Sequence, residues 1–349
     1  MGSIRELSSA ELSSLSRQLA LVADSELSLQ EGLDLLRQQS KSRAVQDLLR
    51  HARNRVNEGQ TLSEAFAEEK ELLPEIYIQM IKMGEQSGNL VRVLTRVADS
   101  YDKEAKISSK VMSAVTYTLI LTVLMLCVII LLLTEVLPMF DEVLSSLGGE
   151  MPGITRALMD IGAFVSSYFY VLLLIIAAVI IAVVVMRQSE RGREQLDAIK
   201  LGMPIRGRIT RNICAVRFAR NLAMLLRSGI GVAASVRMTR SIVMNTRIAS
   251  LVGEAADRVE SGETLRSALL SLGLFPDLLV RLLSVAESTG HMDDMLDRAA
   301  DVLEEELDER LAKLTTVLEP ALIIVLSIII GVVLVSVILP VARIMNTVG

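Results

Sequence analysis

Apolar positions along residues 1–110 recur with the period of an amphipathic helix. Leu90, Leu94, Val97 and Tyr101, for example, fall on one stripe of a helix, while polar residues occupy the positions between them. Similar stripes earlier in this stretch predict about six short helices in total. The hydrophobic pattern therefore favours a helical bundle for the first third of the chain.

Three segments of this stretch carry the capping-box pattern, in which a hydroxyl residue is followed three positions later by a glutamate. The hydroxyl residues are Ser8, Ser28 and Thr61. In this pattern the hydroxyl and the carboxylate both bind backbone amides that a helix N-terminus leaves without partners. Each of the three residues is therefore predicted to begin a helix.

Three later runs contain no charged residue: residues 111–134, 161–186 and 320–342. Each is longer than the roughly 20 residues that a helix needs to cross the hydrocarbon core of a bilayer. We therefore predict three transmembrane helices. Residues 135–160, between the first two runs, are predicted to form a short acidic loop with room for one helical turn, and residues 343–349 form a tail.

The chain also repeats itself. Arg17-Gln18-Leu19-Ala20 recurs as Arg220-Asn221-Leu222-Ala223, at an offset of 203 positions (220 minus 17), which falls to 202 from Pro74 onwards. Self-similarity over this length indicates two copies of one structural unit. Residues 187–319 are therefore expected to form a second helical domain that repeats the domain of residues 1–110.

Basic residues predict how the chain is oriented. Three lysines precede the first apolar run, a dense cluster from Arg187 to Arg211 follows the second, and the loop between these runs holds one basic residue. The positive-inside rule then places residues 1–110 and 187–319 in the cytoplasm and the C-terminal tail outside. The repeat agrees, because two parallel copies need one inward crossing between them.

Composition fits this arrangement. A mean hydropathy of +0.47 in a chain with 22% charged residues indicates polar domains joined to a few apolar spans. Only 3% of the residues are aromatic, and Leu, Ala, Glu and Arg dominate, so helices are favoured over strands. The predicted fold is an all-α membrane protein with two homologous cytoplasmic helical bundles, about six helices each, and three transmembrane helices.

No catalytic, cofactor or metal site is predicted. The only histidines, His51 and His291, occupy unmatched positions in the repeat and have no partner at metal-ligand spacing. The chain lacks the glycine-rich phosphate loop of ATPases. The apolar runs contain no ionisable residue, which argues against ion or proton pumping. We therefore expect a protein that is not an enzyme and that binds no cofactor or metal.

A Glu-x-x-Gly motif occurs at the end of a predicted helix in both copies. A glutamate there opposes the helix dipole, so a compensating contact is expected. An arginine that also recurs in both copies is the predicted partner, in an Arg–Glu pair inside each bundle. Two interpretations stay open: the turn holds the bundle together, or it forms a docking or hinge point for a partner. The candidate residues are Arg17, Glu85, Gly88, Arg220, Glu287 and Gly290.

Two stretches of the chain are rich in charged residues of one sign. The acidic run from Glu304 to Glu309, which precedes the third apolar run, is either a solvated helix face or a contact surface for a basic partner. The basic stretch from Arg187 to Arg211 is interpreted as a topology determinant beside anionic lipid. It lacks interleaved aromatic residues and adjoins a predicted membrane span, so nucleic-acid binding is not expected.

Taken in order, these features resemble the inner-membrane platform proteins of type II secretion systems and type IV pili, the family called protein F or PilC. The resemblance covers nearly the whole chain and rests on the order and spacing of its motifs. Besides the repeated Arg17 and Glu85 motifs, the matching pieces are Leu137-Pro138-Met139-Phe140, residues 147–156, Leu201-Gly202-Met203-Pro204, Arg217-Phe218-Ala219-Arg220 and Leu339-Pro340.

The resemblance implies a multi-pass protein of the bacterial cytoplasmic membrane that couples a hexameric cytoplasmic ATPase to the assembly of pilin or pseudopilin subunits. It also implies contacts with other inner-membrane assembly proteins and self-association into a homo-oligomer. A type IV pilus, a secretion pseudopilus and a competence pseudopilus all remain open. The alternatives are a small-solute transporter or channel built on a parallel repeat, and a membrane receptor with cytoplasmic signalling domains.

Overall fold

The computed structural model describes residues 6–146, 153–243, 245–273 and 275–348. All regular structure within these ranges is helical, which confirms the prediction of an all-α chain for the described residues. The chain divides into two compact units. One comprises Met1–Lys110 and Arg193–Asp308, and the other comprises Val111–Gly192 and Glu309–Gly349.

Six helices make up the first repeat copy. They are α1 (Ser9–Asp24), α2 (Leu29–Gln39), α3 (Arg43–Asn57), α4 (Leu62–Ala67), α5 (Glu75–Gln86) and α6 (Leu90–Leu131). Ser8, Ser28 and Thr61 cap α1, α2 and α4 through complete capping boxes, so the three predicted helix starts are confirmed. Helix α6 extends beyond the bundle into the first apolar run without a break.

The core of this bundle is built from leucines and a few aromatic rings. Leu94, Val97 and Tyr101 of the predicted stripe are buried. Tyr77 is fully buried, and its hydroxyl lies 3.0 Å from the Ser16 hydroxyl, so its polar atom keeps a hydrogen-bond partner inside the core. Burial of each such apolar side chain contributes about 1.5–3 kcal/mol, which offsets the conformational entropy lost by the short helices.

The apolar part of the chain continues in helices. After a π-helical segment at Leu132–Val136 come α7 (Leu137–Ser146), α8 (Gly153–Ser167), α9 (Phe169–Gln188) and α10 (Glu190–Gly202). Two helical stretches, Leu90–Val143 and Met292–Val335, are long and apolar enough to cross a membrane by length and composition. A shorter apolar stretch, Leu173–Met186, lies within α9.

The predicted loop at residues 135–160 is largely wrong. Its described residues belong mainly to the π-helical segment, α7 and α8, while residues 147–152 lie outside the described part of the chain. Apolar residues at helical spacing favour helix on both sides. Pro138 lies inside the continuous helical stretch Leu90–Val143, directly after the π-helical segment, where the regular i-to-i−4 hydrogen-bond ladder is already interrupted and a missing amide is tolerated. Tyr168 separates α8 from α9, so the second apolar run is divided between two helices.

The second repeat copy follows the helix order of the first. Its helices are α11 (Pro204–Arg227), α12 (Val232–Thr239), α13 (Thr246–Glu260), α14 (Leu265–Leu272), α15 (Asp277–Thr289) and α16 (Met292–Val348). The parts of the two copies that precede the apolar runs, up to Lys110 and up to Asp308, lie together in one compact unit. Met224 and Leu225 of α11 join the buried apolar cluster of the first bundle, and α12 contacts α5.

Candidate functional site

Glu85 lies at the C-terminal end of α5, but its carboxylate binds the N-terminus of α4. One carboxylate oxygen accepts a hydrogen bond from the Leu62 amide at 2.7 Å, and the other accepts from the Ser63 amide at 3.2 Å. These amides belong to the first turn of α4, where backbone donors have no partner inside the helix. The unfavourable position at the end of α5 is therefore compensated at the positive end of α4.

The second copy repeats this contact. Glu287, near the end of α15, accepts a hydrogen bond from the Arg266 amide in the first turn of α14, at 3.0 Å. Arg266 is the repeat counterpart of Ser63, at the offset of 203 positions. A carboxylate that ties the end of one helix to the start of the preceding helix is therefore a shared feature of both bundles.

The predicted ion pair between Arg17 and Glu85 is wrong. The Arg17 guanidinium, on α1, lies 3.2 Å from the Asp99 carboxylate on α6, and both side chains are exposed. The two residues point to different neighbours, because Arg17 faces α6 whereas Glu85 faces α4. The compensation expected from an arginine is supplied by backbone amides, which the side-chain pattern does not reveal.

The predicted pair between Arg220 and Glu287 is wrong for the same reason. Arg220, on α11, contacts three carboxylates on α16: Asp297 at 3.1 Å, Asp301 at 2.8 Å and Glu304 at 2.8 Å. Asp301 is the counterpart of Asp99, at the offset of 202 positions. The repeat therefore does contain a shared Arg–carboxylate pair, but the acid is an aspartate of the long helix.

The glycines of the motif close the turns. Gly88 has a φ of 67° and Gly290 a φ of 74°, which places both in the left-handed region. A side chain at such a position costs about 1–2 kcal/mol because its Cβ approaches the following carbonyl oxygen. The structure thus brings Glu85 together with Gly88, and Glu287 together with Gly290, as helix-terminating turns, and leaves the two arginines elsewhere.

A second set of contacts joins the two copies through their long helices. Lys103 of α6 contacts Asp301 of α16 at 3.3 Å, and Lys110 contacts both Asp308 and, at 3.8 Å, Glu304. Glu304 and Asp308 belong to the acidic run that was interpreted either as a solvated face or as a contact for a basic partner. These two members contact a basic face of the same chain.

A buried ion pair lies beside these contacts. Arg217 of α11 approaches Glu104 of α6 at 3.3 Å and donates a hydrogen bond to the Ser108 hydroxyl at 3.1 Å. Both charged side chains are largely buried. Burial raises the pKa of Glu104 above its usual range, although the nearby Arg217 charge and a hydrogen bond from Ser9 act in the opposite direction.

The groove between the copies, about 380 Å³ in volume, is lined mainly by charged side chains. Its lining residues are Arg96, Asp99, Ser100, Asp102, Lys103, Lys106, Arg220, Met224, Arg227 and Asp297. Small-molecule sites are usually concave and mostly apolar, so this lining is more typical of a wet contact between domains. Within the described ranges, no group of three or more His, Cys, Asp or Glu side chains is placed to hold a metal ion.

The repeat has a counterpart in a known family. The model of the type II secretion system protein F family matches residues 15–138 and again residues 218–340, once for each copy. These matches confirm the internal repeat and cover more than half of the chain.

Individual relatives match nearly the whole length. The type IV pilus assembly protein PilC of Thermus thermophilus is 32% identical over 338 residues, covering 97% of this chain and 83% of the relative. The type II secretion system protein F of Aeromonas hydrophila is 28% identical over 345 residues, covering 99% of this chain and 89% of the relative. The chain belongs to the type II secretion system protein F family, which includes these pilus and secretion proteins.

Proposed function

We propose that this chain is the inner-membrane platform of a type IV pilus or a type II secretion machine. In this role it couples a cytoplasmic hexameric ATPase to the assembly of pilin or pseudopilin subunits and self-associates in the membrane. The observation that carries the proposal is the double match to the protein F family, together with relatives of both machine types along nearly the full length. The proposed partners include other inner-membrane assembly proteins.

The proposed topology has three membrane-spanning helices and two cytoplasmic bundles of about six helices each. The matched order of α1–α6 and α11–α16 supports the two bundles, and the apolar stretches of α6, α9 and α16 support the spans. The proposed segments are cytoplasmic 1–110 and 187–319, spanning 111–134, 161–186 and 320–342, and outer 135–160 and 343–349.

In this proposal the chain works by contact and not by catalysis. The Glu–Gly turns hold each bundle in shape, because Glu85 and Glu287 fix neighbouring helices to each other. The pairs between α6, α11 and α16 join the two bundles, so a partner that displaces one bundle also pulls on the other. Docking at the turns is the remaining alternative for these residues.

The partners can be tested by affinity purification of the tagged full chain after mild cross-linking and gentle detergent extraction. We expect a secretion or pilus ATPase and pilin-like subunits to be enriched over an untagged strain. A matched variant, Glu85→Ala, separates the two roles of the turn: a structural turn lowers thermal stability, whereas a docking turn lowers partner recovery at unchanged stability. Clean recovery of the chain without either partner class would contradict the platform role.

The topology can be tested with single cysteines in a background in which Cys127 is replaced by serine. Lys41→Cys and Ser250→Cys lie on the proposed cytoplasmic bundles, and Ser145→Cys lies in the proposed outer segment. Intact cells are treated so that a small maleimide passes the outer membrane but cannot cross the cytoplasmic membrane. Of the three introduced cysteines, only Ser145→Cys should then be labelled. Labelling of either bundle position before cell lysis would contradict the proposed orientation.

A further inference from the structure

The second copy docks on the first through an apolar face of α11 and α12. Met224 and Leu225 are buried in the core cluster of the first bundle, and Ile230, Met238 and Ile242 pack against that cluster. Helix α12 contacts α5 directly. We call these α11–α12 residues the docking face of the second copy.

Three of the five docking-face positions are exposed leucines in the first copy, whereas Leu225 corresponds to the buried Val22 and Ile242 to the polar Gln39. At the offset of 203 positions, Met224 corresponds to Leu21, Ile230 to Leu27 and Met238 to Leu35. These three leucines are 67%, 49% and 45% exposed, respectively. Single exposed leucines are common on protein surfaces, but these three coincide with the residues that are used for docking in the other copy.

The elements beside the docking face, which are α5 and the part of α6 around Ser100, have more exposed counterparts in α15 and α16. Met80 of α5 is fully buried, whereas its match in α15, Leu282, is half-buried. Ser100 lines the groove beside Met224. Its match in α16, Val302, is an exposed apolar residue, as is Val285 on α15. The second copy therefore presents an apolar receiving face on α15 and α16.

Charge agrees with this pairing. Within the chain, the Arg96 guanidinium donates a hydrogen bond to the Arg227 carbonyl oxygen at 3.3 Å, at the edge of the docked face. The matched residues are Arg298 on the receiving face and Asp24 on the docking face, and both are exposed. Where the internal contact brings two arginines together, the matched pair has opposite charges, which favours association.

We propose that the exposed docking face of one chain, formed by Leu21, Leu27 and Leu35, binds the receiving face on α15 and α16 of a second copy. This contact repeats between chains the contact that already joins the two bundles within one chain. It deepens the self-association included in the proposed function, and it is head-to-tail: two different faces meet, so copies form a ring or an open row and not a symmetric pair.

The test uses the full chain in native membranes, with Cys127 replaced by serine. One tagged form carries Leu27→Cys, a second form with a different tag carries Val285→Cys, and a short bismaleimide is added to membranes that contain both. We expect a cross-linked product between the two forms, and little or none from either form alone. Leu270→Cys, an exposed position on α14 outside both faces, replaces Val285→Cys as the matched control.

Cross-linking of the Leu27→Cys form with itself would overturn the head-to-tail contact in favour of a symmetric one. If Leu27→Cys cross-links equally well to Leu270→Cys and to Val285→Cys, the assignment of the receiving face to α15 and α16 is wrong. Amine-reactive cross-linking of the unmodified chain is measured in parallel. Amine-cross-linked dimers without a cysteine cross-link would reject the proposed docking and receiving faces, although the chain would still be shown to self-associate. Recovery of the ATPase and pilin-like subunits reports separately on the platform role.

A charge-swap pair gives a second readout that does not depend on a cysteine, because it uses the amine-reactive cross-linker. Asp24→Arg and Arg298→Asp each place like charges across the proposed contact, so each alone should lower the yield of amine-cross-linked dimer about two- to fivefold, the effect of one exposed ion pair. Mixing the two variants restores opposite charges and should restore the yield. Unchanged yields for both single variants, or no recovery on mixing, would count against the contact.

Discussion

Arg17 and Arg220 occupy matched positions in the two copies but experience different surroundings. The Arg17 side chain is 60% exposed and pairs with one carboxylate, whereas the Arg220 side chain is 7% exposed and contacts three. Exposed ion pairs contribute little because water and salt screen them, while a buried guanidinium holds its partners in one geometry. The same residue in the same motif therefore has two different energetic roles.

The first prediction compares these two arginines. Arg17→Met should lower the free energy of unfolding by about 0–1 kcal/mol. Arg220→Met should lower it by about 2–4 kcal/mol, because it leaves three carboxylates near one another without their common cation. Thermal unfolding of the detergent-solubilised full chain, followed by circular dichroism, measures both variants. Equal losses would mean that burial does not set the strength of these pairs.

The second prediction concerns the glutamates of the turns. Glu85→Ala removes two hydrogen bonds to the N-terminus of α4 and should cost about 1–3 kcal/mol, while Glu287→Ala removes one bond to α14 and should cost about 0.5–1.5 kcal/mol. Hydrogen exchange reports the effect locally, since the Leu62 and Ser63 amides lose their acceptor. Unchanged protection of these two amides would show that the carboxylate does not cap α4.

At the scale of elements, the two long helices run side by side in the same direction. Lys103 contacts Asp301 and Lys110 contacts Asp308, both at a separation of 198 positions in sequence. Seven residues correspond to about two helical turns, so contacts with a constant separation indicate parallel helices in a fixed register. The basic face of α6 and the acidic face of α16 thereby set which residues of the two copies meet.

The third prediction tests this register. Lys110→Glu should weaken the contact by about 0.2–1 kcal/mol, because it places two carboxylates together, and adding Asp308→Lys should restore part of the loss, because the double exchange brings opposite charges together again. The same exchange at a single end, Asp308→Lys alone, is the matched control. Hydrogen exchange of the facing turns of α6 and α16 provides the measurement, and additive losses without recovery would argue against the pair.

The fourth prediction is a pH dependence with two opposite signs. Although burial opposes it, the hydrogen bond and the charge of Arg220 lower the pKa of Asp301, so the stability from this residue is present above about pH 4 and is lost as the pH falls through its folded-state pKa. Glu104 behaves in the opposite way: burial raises its pKa, so the folded state holds this proton more tightly than the unfolded state does. The stability that protonated Glu104 contributes to the folded state is lost as the pH rises through its folded-state pKa.

Glu104→Gln should therefore remove a stability loss that the unmodified chain shows as the pH rises from about 4. Unfolding temperatures of the two forms, measured across this pH range, give the difference directly. A difference that does not change with pH would mean that Glu104 titrates as it does in the unfolded chain. Asp301→Asn is the companion variant and should reduce the stability lost on acidification.

Sequence patterns predicted the parts of this fold that depend on neighbours along the chain. The helix starts at Ser8, Ser28 and Thr61 follow from a hydroxyl and a glutamate three residues apart. The partner of Glu85 could not be predicted this way, because it is a pair of backbone amides, which have no residue-specific pattern. The partner of Arg17 could have been predicted from the sequence, because Asp99 and Asp301 recur at matched positions of the repeat, as Arg17 and Arg220 do.

At the scale of the whole molecule, the two copies have kept one helix order but diverged at their surfaces. Three positions that α11 and α12 use for docking are exposed leucines on α1 and α2, and α15 is more exposed than its counterpart α5, which α12 contacts. When one copy of a duplicated unit docks on the other, the docking face of the first copy and the receiving face of the second copy are left without a partner in the same chain. This asymmetry is the structural basis for expecting further copies of the chain to add at these faces.

The fifth prediction follows from the covalent link between the bundles. Co-expressing residues 1–149 and 150–349 as separate segments should yield halves that separate on dilution. The pairs between α6 and α16 are partly exposed and individually weak, and the buried Arg217–Glu104 pair contributes little beyond its own desolvation cost, so the apolar docking face is the main contact left to hold the halves together. Size-exclusion chromatography at decreasing concentration measures this dissociation. Halves that stay together at nanomolar concentration would show that the contact is strong without the link.

The exposed character of the pairs between the bundles has a consequence for assembly. Within one chain the covalent link keeps each bundle at a high effective concentration around the other, so a weak contact is always formed. The same contact between separate chains has no such advantage in dilute detergent. It would instead depend on how densely the chains are packed in the plane of the membrane, so assembly could be reversed simply by lowering their local number.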